Sequence, residues 1–213
     1  MADLRQRLIA SARRMTAAGL NRGTAGNLSV RVGGGQAGFL ITPTGMDYDA
    51  LEVDDIVFMR LDGTPTGRRK PSSEWRFHRD LYVHRPDAGA ILHAHSPFAT
   101  SLACLRRDIP AFHYMIARFG GNSLRCAGYA TFGTQELSDA VLLAIADRRA
   151  CLLGNHGMLV LGEDLEQALA LGGELEALCE QYWRACQLGE PVLLDAAEMA
   201  TVLAKFASYG QQA

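Results

Sequence analysis

An early β-hairpin pattern limits the folds open to this chain. Leu28, Val30 and Val32 alternate with polar residues, Gly33-Gly34-Gly35 follows, and a second β-rich run covers Gly38–Thr42. Alternation with a period of two indicates a strand that buries one face, and glycines suit the tight turn of a hairpin. Because strands joined by a short turn pair antiparallel, the pattern predicts a sheet that is largely antiparallel.

Helical patterns occur along the whole chain. Leu4, Leu8, Ile9, Ala12 and Met15 form an apolar stripe of helical spacing near the N-terminus. Further helices are predicted at about 72–85, 97–105, 134–147, 164–188 and 195–207, and further strands near 56–61, 88–95, 151–154 and 157–161. Helices spread in this way can cover both sheet faces, so the predicted class is α/β, a three-layer α/β/α sandwich around a largely antiparallel central sheet. No linker or repeat divides the 213 residues, of which 48% are apolar, and we expect one domain, 1–213.

Charge and cysteine content exclude several classes of protein. The 21 basic and 23 acidic residues give a net charge of −2 without a basic stripe, so no nucleic acid partner is expected. No apolar stretch is long enough to span a bilayer and no signal-peptide pattern opens the chain, which predicts a cytoplasmic protein without a membrane partner. The five cysteines are odd in number and lack Cys-x-x-Cys spacing, so they are expected to be reduced, mostly buried thiols.

Three histidines stand where predicted strands end. His93 and His95 close the apolar run 90–95 and point to the same face, while His156 follows the apolar run 151–153 between two glycines. The first two could simply form a hydrogen-bonded pair in the core. Together with His156 and Glu74, however, they can hold one divalent metal with a position left open, which is the layout of a catalytic site. The other histidines, His78, His84 and His113, are interpreted as structural.

Three short loops rich in hydroxyl groups and exposed backbone N–H groups indicate phosphate binding. Backbone N–H groups in such loops, or at a helix N-terminus, bind phosphate oxygens without a basic side chain. Each loop alone can be a plain turn, and Ser72-Ser73-Glu74 also reads as a serine-capped helix start. No nucleotide-binding glycine motif is present. The predicted phosphate ligands are Thr24, Gly26, Asn27, Thr44, Gly45, Ser72 and Ser73.

Seven segments together resemble the class II aldolase and adducin family. They run in family order across almost the whole chain, although Asn155 stands where the family's aldolases tend to have a second histidine. The matching segments are Gly23–Arg31, Leu40–Gly45, Pro71–His78, His93–His95, His113–Ile116, Tyr129–Thr134 and His156–Gly157.

The resemblance implies a metal-dependent lyase that cleaves a ketose 1-phosphate into dihydroxyacetone phosphate and an aldehyde, through an enediolate that the metal stabilises. L-fuculose 1-phosphate, 5-deoxyribulose 1-phosphate and 5-methylthioribulose 1-phosphate are all open as substrates. The resemblance also implies one divalent metal per subunit, with zinc expected first and manganese, cobalt or iron open, and a homotetramer with active sites at subunit interfaces. A Schiff-base route is disfavoured, because the only lysines, Lys70 and Lys205, fall in a charged loop and on a solvated helix.

Roles for individual residues follow from the same resemblance. Glu74 would coordinate the metal beside the three histidines and would also move the proton. Tyr114 would act as an acid on the aldehyde side, reaching in from a neighbouring subunit. Tyr209 matches a family residue that closes over the aldehyde half, but it can equally be an ordinary helix end.

Three alternatives share the fold. Two are enzymes with the same ligands, a methylthioribulose-1-phosphate dehydratase and a sugar-phosphate 4-epimerase, and the segments Tyr129–Thr134 and His113–Ile116 favour the aldolase over both. The third is a non-catalytic adducin-like interaction module, which would be expected to lose its metal ligands. The chain keeps all three histidines and Glu74, so the sequence favours an enzyme.

Overall fold

Eight strands form one sheet in the computed structural model, which describes residues 1–33 and 37–206. They lie in the order β4-β3-β2-β1-β5-β8-β7-β6, and all neighbours pair antiparallel except β6 and β7. The predicted hairpin is confirmed, with Val32 opposite Gly38, although 34–36 of its turn lie outside the described residues. The strands are β1 (Asn27–Val32), β2 (Gly38–Ile41), β3 (Val57–Arg60), β4 (Pro65–Thr66), β5 (Ala90–Ala94), β6 (Arg125–Ala127), β7 (Ala150–Leu153) and β8 (Gly157–Gly162).

Helices cover both faces of this sheet. The first layer contains α1 (Ala2–Ala17), α3 (Pro97–Ala103), α5 (Leu165–Leu188) and α6 (Ala196–Phe206). The second layer contains α2 (Trp75–His84) and α4 (Gln135–Ile145). Alternate residues of each strand supply the two cores, so Leu40 packs in the first core whereas Phe39 and Ile41 pack in the second. The predicted three-layer α/β/α sandwich is therefore confirmed.

Several short elements have no counterpart in the predicted pattern. The strands β4 and β6 contain two and three residues, which is too short for periodicity to show. Three 3₁₀ helices, Tyr48–Ala50, Val53–Asp55 and Tyr114–Phe119, were also not predicted.

The predicted start of α2 at about residue 72 is wrong. The helix begins at Trp75, with Glu74 as the preceding cap residue, whose side chain makes no capping bond. The cause is tertiary, because the Ser72 N–H donates to the Thr42 carbonyl at 3.1 Å and Pro71 pairs with Pro43 as an isolated β-bridge. This pairing holds residues 71 and 72 in an extended form, so the helix can begin only after them, at Trp75.

Two expectations from composition have different outcomes. All five cysteines are free, as predicted, but the expectation that most are buried is wrong, since only Cys151 and Cys179 are buried and Cys104 and Cys186 are exposed. None of the helices within the described residues combines the length and apolar character needed to cross a bilayer.

Candidate metal centre

Strand pairing brings the predicted metal ligands to one edge of the sheet. Asn27, which opens β1, lies opposite His93 near the end of β5, and Leu153, which ends β7, lies opposite Gly157 at the start of β8. His156 lies in the tight turn between β7 and β8. The helix α2 covers the sheet face on which His93 lies, and its N-terminal cap residue, Glu74, therefore lies beside the histidines.

Four side chains converge at this edge. His93 Nε2 lies 3.1 Å from His95 Nε2 and 3.1 Å from Glu74 Oε2, while His156 Nε2 lies 3.3 Å from Glu74 Oε1. One ligand atom from each histidine lies within 4.8 Å of the others. The three rings face one another edge-on, with centroids 4.8 to 4.9 Å apart. The predicted group His93, His95, His156 and Glu74 is thus assembled in a single cluster.

A backbone carbonyl fixes the orientation of the His93 ring. Its Nδ1 lies 2.9 Å from the Met158 carbonyl oxygen, which can only accept, so Nδ1 carries the proton and donates. The other ring nitrogen, Nε2, faces the cluster. A carbonyl behind a histidine ligand is the usual way in which proteins fix the tautomer of a metal-binding imidazole.

Electrostatics keep the cluster in a state that suits a cation. Burial would raise the pKa of Glu74, but the neighbouring His93 and His156 imidazoles and the Asn27 amide outweigh it and lower the pKa to about 2. Burial, followed by the proximity of His93, lowers the pKa of both His95 and His156 to about 4. At neutral pH the site therefore contains the Glu74 carboxylate and the neutral imidazoles of His95 and His156, the forms in which these groups coordinate metals.

The residues present fit a divalent metal. Glu74 Oε1 is buried and accepts no hydrogen bond from any residue that the structure describes. Several atoms with lone pairs lie about 3 Å from one another. A bound cation relieves the repulsion between these lone pairs better than protons do. Three imidazole nitrogens and one carboxylate oxygen make a donor set typical of zinc and of other first-row divalent metals.

The three predicted phosphate loops meet at the same sheet edge. The Thr42 N–H donates to the Leu28 carbonyl at 3.1 Å, which places the loop after β2 beside the start of β1, and the Thr44 N–H donates to the Lys70 carbonyl at 3.2 Å. Gly45 has a left-handed backbone with φ of 66°. A Cβ atom at this position would have no other atom within 4 Å, so the turn is open. Of the predicted phosphate ligands, Thr24, Thr44, Gly45 and Ser73 are exposed, whereas Gly26, Asn27 and Ser72 are buried.

Asn27 occupies a different position from a simple phosphate ligand. Its side-chain amide donates to Glu74 Oε2 at 3.0 Å, and its Oδ1 lies 2.5 Å from His78 Nε2. His78, which we interpreted as structural, is therefore joined to Glu74 through Asn27. The sequence contained a signal for this link, because Glu74, the cap residue of α2, lies four residues before His78, and Asn27 and Ser29 share one face of β1.

Tyr114 is not among the side chains of this cluster. Tyr114 is half exposed and stacks on His113 and Phe206, beside a segment that packs with the first helix layer. Tyr209 lies outside the described residues. His84 Nδ1 donates to the Asp80 carbonyl at 2.8 Å within α2, and His113 caps the Tyr114–Phe119 helix by accepting from the Met115 N–H.

The chain is similar to known proteins over almost its whole length. The chain matches the family model of the Class II Aldolase and Adducin N-terminal domain over residues 6–183. It is 55% identical to a 5-methylthioribulose-1-phosphate/5-deoxyribulose-1-phosphate aldolase of Rhodospirillum rubrum, covering 99% of this chain and 94% of that protein. It is 48% identical to the L-fuculose phosphate aldolase of Escherichia coli K12, covering 97% and 95%.

Solved structures agree with the sequence comparison. A structure of an L-fuculose 1-phosphate aldolase superposes with a TM-score of 0.93 at 42% identity, covering 97% of both chains. The predicted family resemblance and the predicted lyase class are confirmed, because these full-length relatives are named as aldolases. The chain therefore belongs to the class II aldolase and adducin family.

Proposed function

We propose that this protein cleaves the C3–C4 bond of a ketose 1-phosphate and releases dihydroxyacetone phosphate and an aldehyde. The observation that carries the proposal is the assembly of His93, His95, His156 and Glu74 within about 3 Å contacts at the sheet edge where the three phosphate loops meet. A phosphorylated substrate held in those loops would have its carbonyl end beside a metal and a carboxylate.

For the substrate, we propose 5-methylthioribulose 1-phosphate and 5-deoxyribulose 1-phosphate first and L-fuculose 1-phosphate second. The order follows the identities of 55% and 48% to relatives with those names. The three sugars share the phosphorylated half and differ in the aldehyde half, so one set of phosphate ligands suits all of them.

Each group of residues has a defined task in this reaction. The loops of Thr24, Gly26 and Asn27, of Thr44 and Gly45, and of Ser72 and Ser73 bind the phosphate through their hydroxyl groups and through those backbone N–H groups that do not already donate within the protein. When bound, a divalent metal, zinc in our proposal, polarises the substrate carbonyl as a Lewis acid. As the bond breaks, the C4 hydroxyl loses its proton and becomes the aldehyde, and the electron pair of the C3–C4 bond moves to C3. The Glu74 carboxylate takes up one proton from the solvent and delivers it to C3, so the proton lost from the C4 hydroxyl is balanced.

Tyr114 fits a task at the aldehyde half in a neighbouring copy. It lines a groove of about 680 Å³ together with His113 and residues of α6 such as Glu198 and Val202. Its side chain is half exposed. We therefore propose a homotetramer in which Tyr114 exchanges the C4 hydroxyl proton in the adjacent site, and place the enzyme in the cytoplasm, where five free thiols stay reduced.

Direct measurement of dihydroxyacetone phosphate release tests the proposal. Wild-type protein reconstituted with zinc, manganese or cobalt would be assayed with each of the three ketose 1-phosphates in a coupled reaction. We expect release from at least one of them, and a fall of about 10²- to 10⁴-fold in kcat for Glu74→Gln, because the general acid–base group is lost.

The control is Glu136→Gln, which makes the same change at an exposed position in α4 and should retain wild-type activity. Metal bound to wild-type protein without release from any substrate would contradict the aldolase and favour a dehydratase or an epimerase. Release that survives Glu74→Gln unchanged would remove Glu74 from the proton transfer.

A further inference from the structure

A line of buried hydrogen bonds leads from Glu74 into the core between β1 and α2. Glu74 Oε2 accepts from the Asn27 amide at 3.0 Å, and Asn27 Oδ1 lies 2.5 Å from His78 Nε2. His78 Nδ1 lies 2.7 Å from Ser29 Oγ, which lies 2.8 Å from the Tyr82 hydroxyl. None of these side chains is more than a few per cent exposed. The line therefore connects the Tyr82 hydroxyl with Glu74 through three buried side chains, those of Ser29, His78 and Asn27.

The proton of every bond in this line can be assigned from chemistry alone. A carboxylate only accepts, so Asn27 turns its NH₂ group towards Glu74 and its oxygen towards His78. The oxygen must accept, so His78 Nε2 donates and its Nδ1 is the acceptor. Ser29 therefore donates its single proton to Nδ1 and must accept from the Tyr82 hydroxyl. All bonds point the same way, from Tyr82 through Ser29, His78 and Asn27 to Glu74.

The one-way direction has a consequence for Glu74. An amide can rotate by half a turn and present its oxygen instead, which would repel the carboxylate. His78 prevents this rotation, since its Nε2–H has to point at an acceptor. Oε2 is thus occupied by a fixed donor, while Oε1 has no hydrogen bond among the described residues. Oε1 is the oxygen left to exchange a proton with the substrate.

We propose that Tyr82, Ser29 and His78 are positioning residues, which lock the Asn27 amide and so hold the Glu74 carboxylate ready for proton transfer at Oε1. This inference rests on the proposed function for its catalytic consequence. Polar groups so deeply buried are unfavourable unless each is satisfied, and here each one is satisfied only in this direction. At the Tyr82 end of this array of hydrogen bonds, the Arg31 guanidinium lies 4.7 Å above the Tyr82 ring.

The tautomer of His78 tests the direction without any enzymatic activity. Nitrogen NMR of protein labelled with ¹⁵N-histidine distinguishes an imidazole protonated at Nε2 from one protonated at Nδ1, and loss of a signal in His78→Gln assigns it. We expect a neutral His78 with its proton on Nε2. A proton on Nδ1, or on both nitrogens at neutral pH, would contradict the proposed direction of the hydrogen bonds.

Kinetics test the positioning role. We expect His78→Leu to lower kcat by about 10- to 100-fold, with KM and bound metal close to wild type, and to slow the exchange of a dihydroxyacetone phosphate proton with deuterated solvent by the same factor. Ser29→Ala and Tyr82→Phe should have smaller effects of the same kind. His78→Gln should recover part of the loss, because its amide can still donate to Asn27.

A matched control separates positioning from stability. Ser138→Ala removes another fully buried hydroxyl, one that donates to Asp80 at 2.6 Å and has no link to Glu74. It should destabilise the protein without changing kcat. Equal kinetic losses in Ser29→Ala and Ser138→Ala would overturn the proposal. If wild-type protein releases no dihydroxyacetone phosphate, the proposed function fails, whereas the NMR result still decides the array.

Discussion

At the residue scale, two unusual backbone positions lie beside His156, a proposed metal ligand. Arg106 and Asn155 are the non-glycine residues with left-handed backbone among those described, with φ of 51° and 53°. The Asn155 N–H donates to the Ala103 carbonyl at 3.1 Å, and its side-chain oxygen accepts from Arg106 Nε. A left-handed conformation is unfavourable for most side chains, although asparagine tolerates it. The turn that presents His156 therefore depends on the residue type at 155.

Substituting Asn155 tests this dependence. Asn155→Ala and Asn155→Gly both lose the bond from Arg106, but only glycine adopts the left-handed backbone freely. We expect the alanine variant to be less stable than the glycine variant by about 1 kcal/mol, and to bind zinc more weakly. Urea unfolding and competition with a chelator would measure the two effects. Equal behaviour of the two variants would show that the backbone at 155 is not under strain.

At the scale of elements, carboxylates tie neighbouring helices together around the site. Glu176 of α5 accepts from the Ser96 hydroxyl at 2.6 Å and from the N–H groups of Phe98 and Ala99 at 2.8 and 2.9 Å. It thereby caps α3, which begins two residues after the ligand His95. Asp80 of α2 accepts from Ser138 and Gln135 at the start of α4. The helices that flank the proposed ligands are thus anchored by one buried carboxylate, Asp80, and one partly buried carboxylate, Glu176.

Removing the cap on α3 should loosen His95. Glu176→Ala leaves two helix N–H groups and the Ser96 hydroxyl without their acceptor, and we expect a loss of about 1 to 3 kcal/mol of stability and weaker zinc binding. Glu174→Ala, two residues earlier on α5, removes only a partly exposed ion pair with Arg118 and serves as the control. Denaturant unfolding of the metal-free proteins and zinc titration would measure both. Identical losses in the two variants would contradict a specific cap.

Asp80 should make the stability depend on pH. Burial would raise its pKa, but hydrogen bonds from Ser138, Gln135 and Arg79 outweigh burial and lower it. A lowered pKa in the folded state means that the stabilisation is complete above the ordinary carboxyl value and is lost as the pH falls through the folded value. We expect Asp80→Asn to reduce the free energy of unfolding by about 1 to 3 kcal/mol at pH 7.

The difference between Asp80→Asn and wild type should shrink in acid, below about pH 4. Urea unfolding of both metal-free proteins at several pH values would measure it. A difference that stays constant over the acid range would show that the Asp80 carboxylate does not carry the effect.

At the scale of the whole molecule, the proposed site residues lie in two regions. The proposed metal ligands lie on the face covered by α2 and α4, whereas Tyr114 lies in a segment packed with the opposite helix layer. A single protomer therefore presents the metal group in one place and the proposed acid in another. Symmetric assembly can unite such regions from different copies.

Complementation between inactive variants tests this assembly. We expect His93→Ala and Tyr114→Phe each to lose most activity, and co-expression of the two to restore it in part. If each site takes His93 from one copy and Tyr114 from the next, random mixing leaves about a quarter of the sites intact. Purified mixed oligomers would be assayed against each variant alone. No recovery in verified mixed oligomers would place Tyr114 in the site of its own protomer or outside the reaction.

Much of the fold could be predicted from local patterns. Period-two alternation in β1 and helical stripes such as that of α1 depend on residues close together in the chain, so they predict the correct layers. The histidines at the ends of β5 and β7 could be assigned in the same way, since a polar residue that ends an apolar strand lies at a sheet edge. The short strands β4 and β6 and the start of α2 could not, because pairing with distant segments determines them.

Only the tertiary structure decided how the ligands are supported. The composition of β1 shows that Asn27 and Ser29 are polar, but not that they join His78 and Tyr82 in one line to Glu74. The sequence likewise names Tyr114 and Asn155 without the distances that give them a task. Hydrogen-bond direction and ligand geometry depend on atoms brought together within about 3 Å from strands and helices far apart in the chain, and local patterns carry no information at that distance.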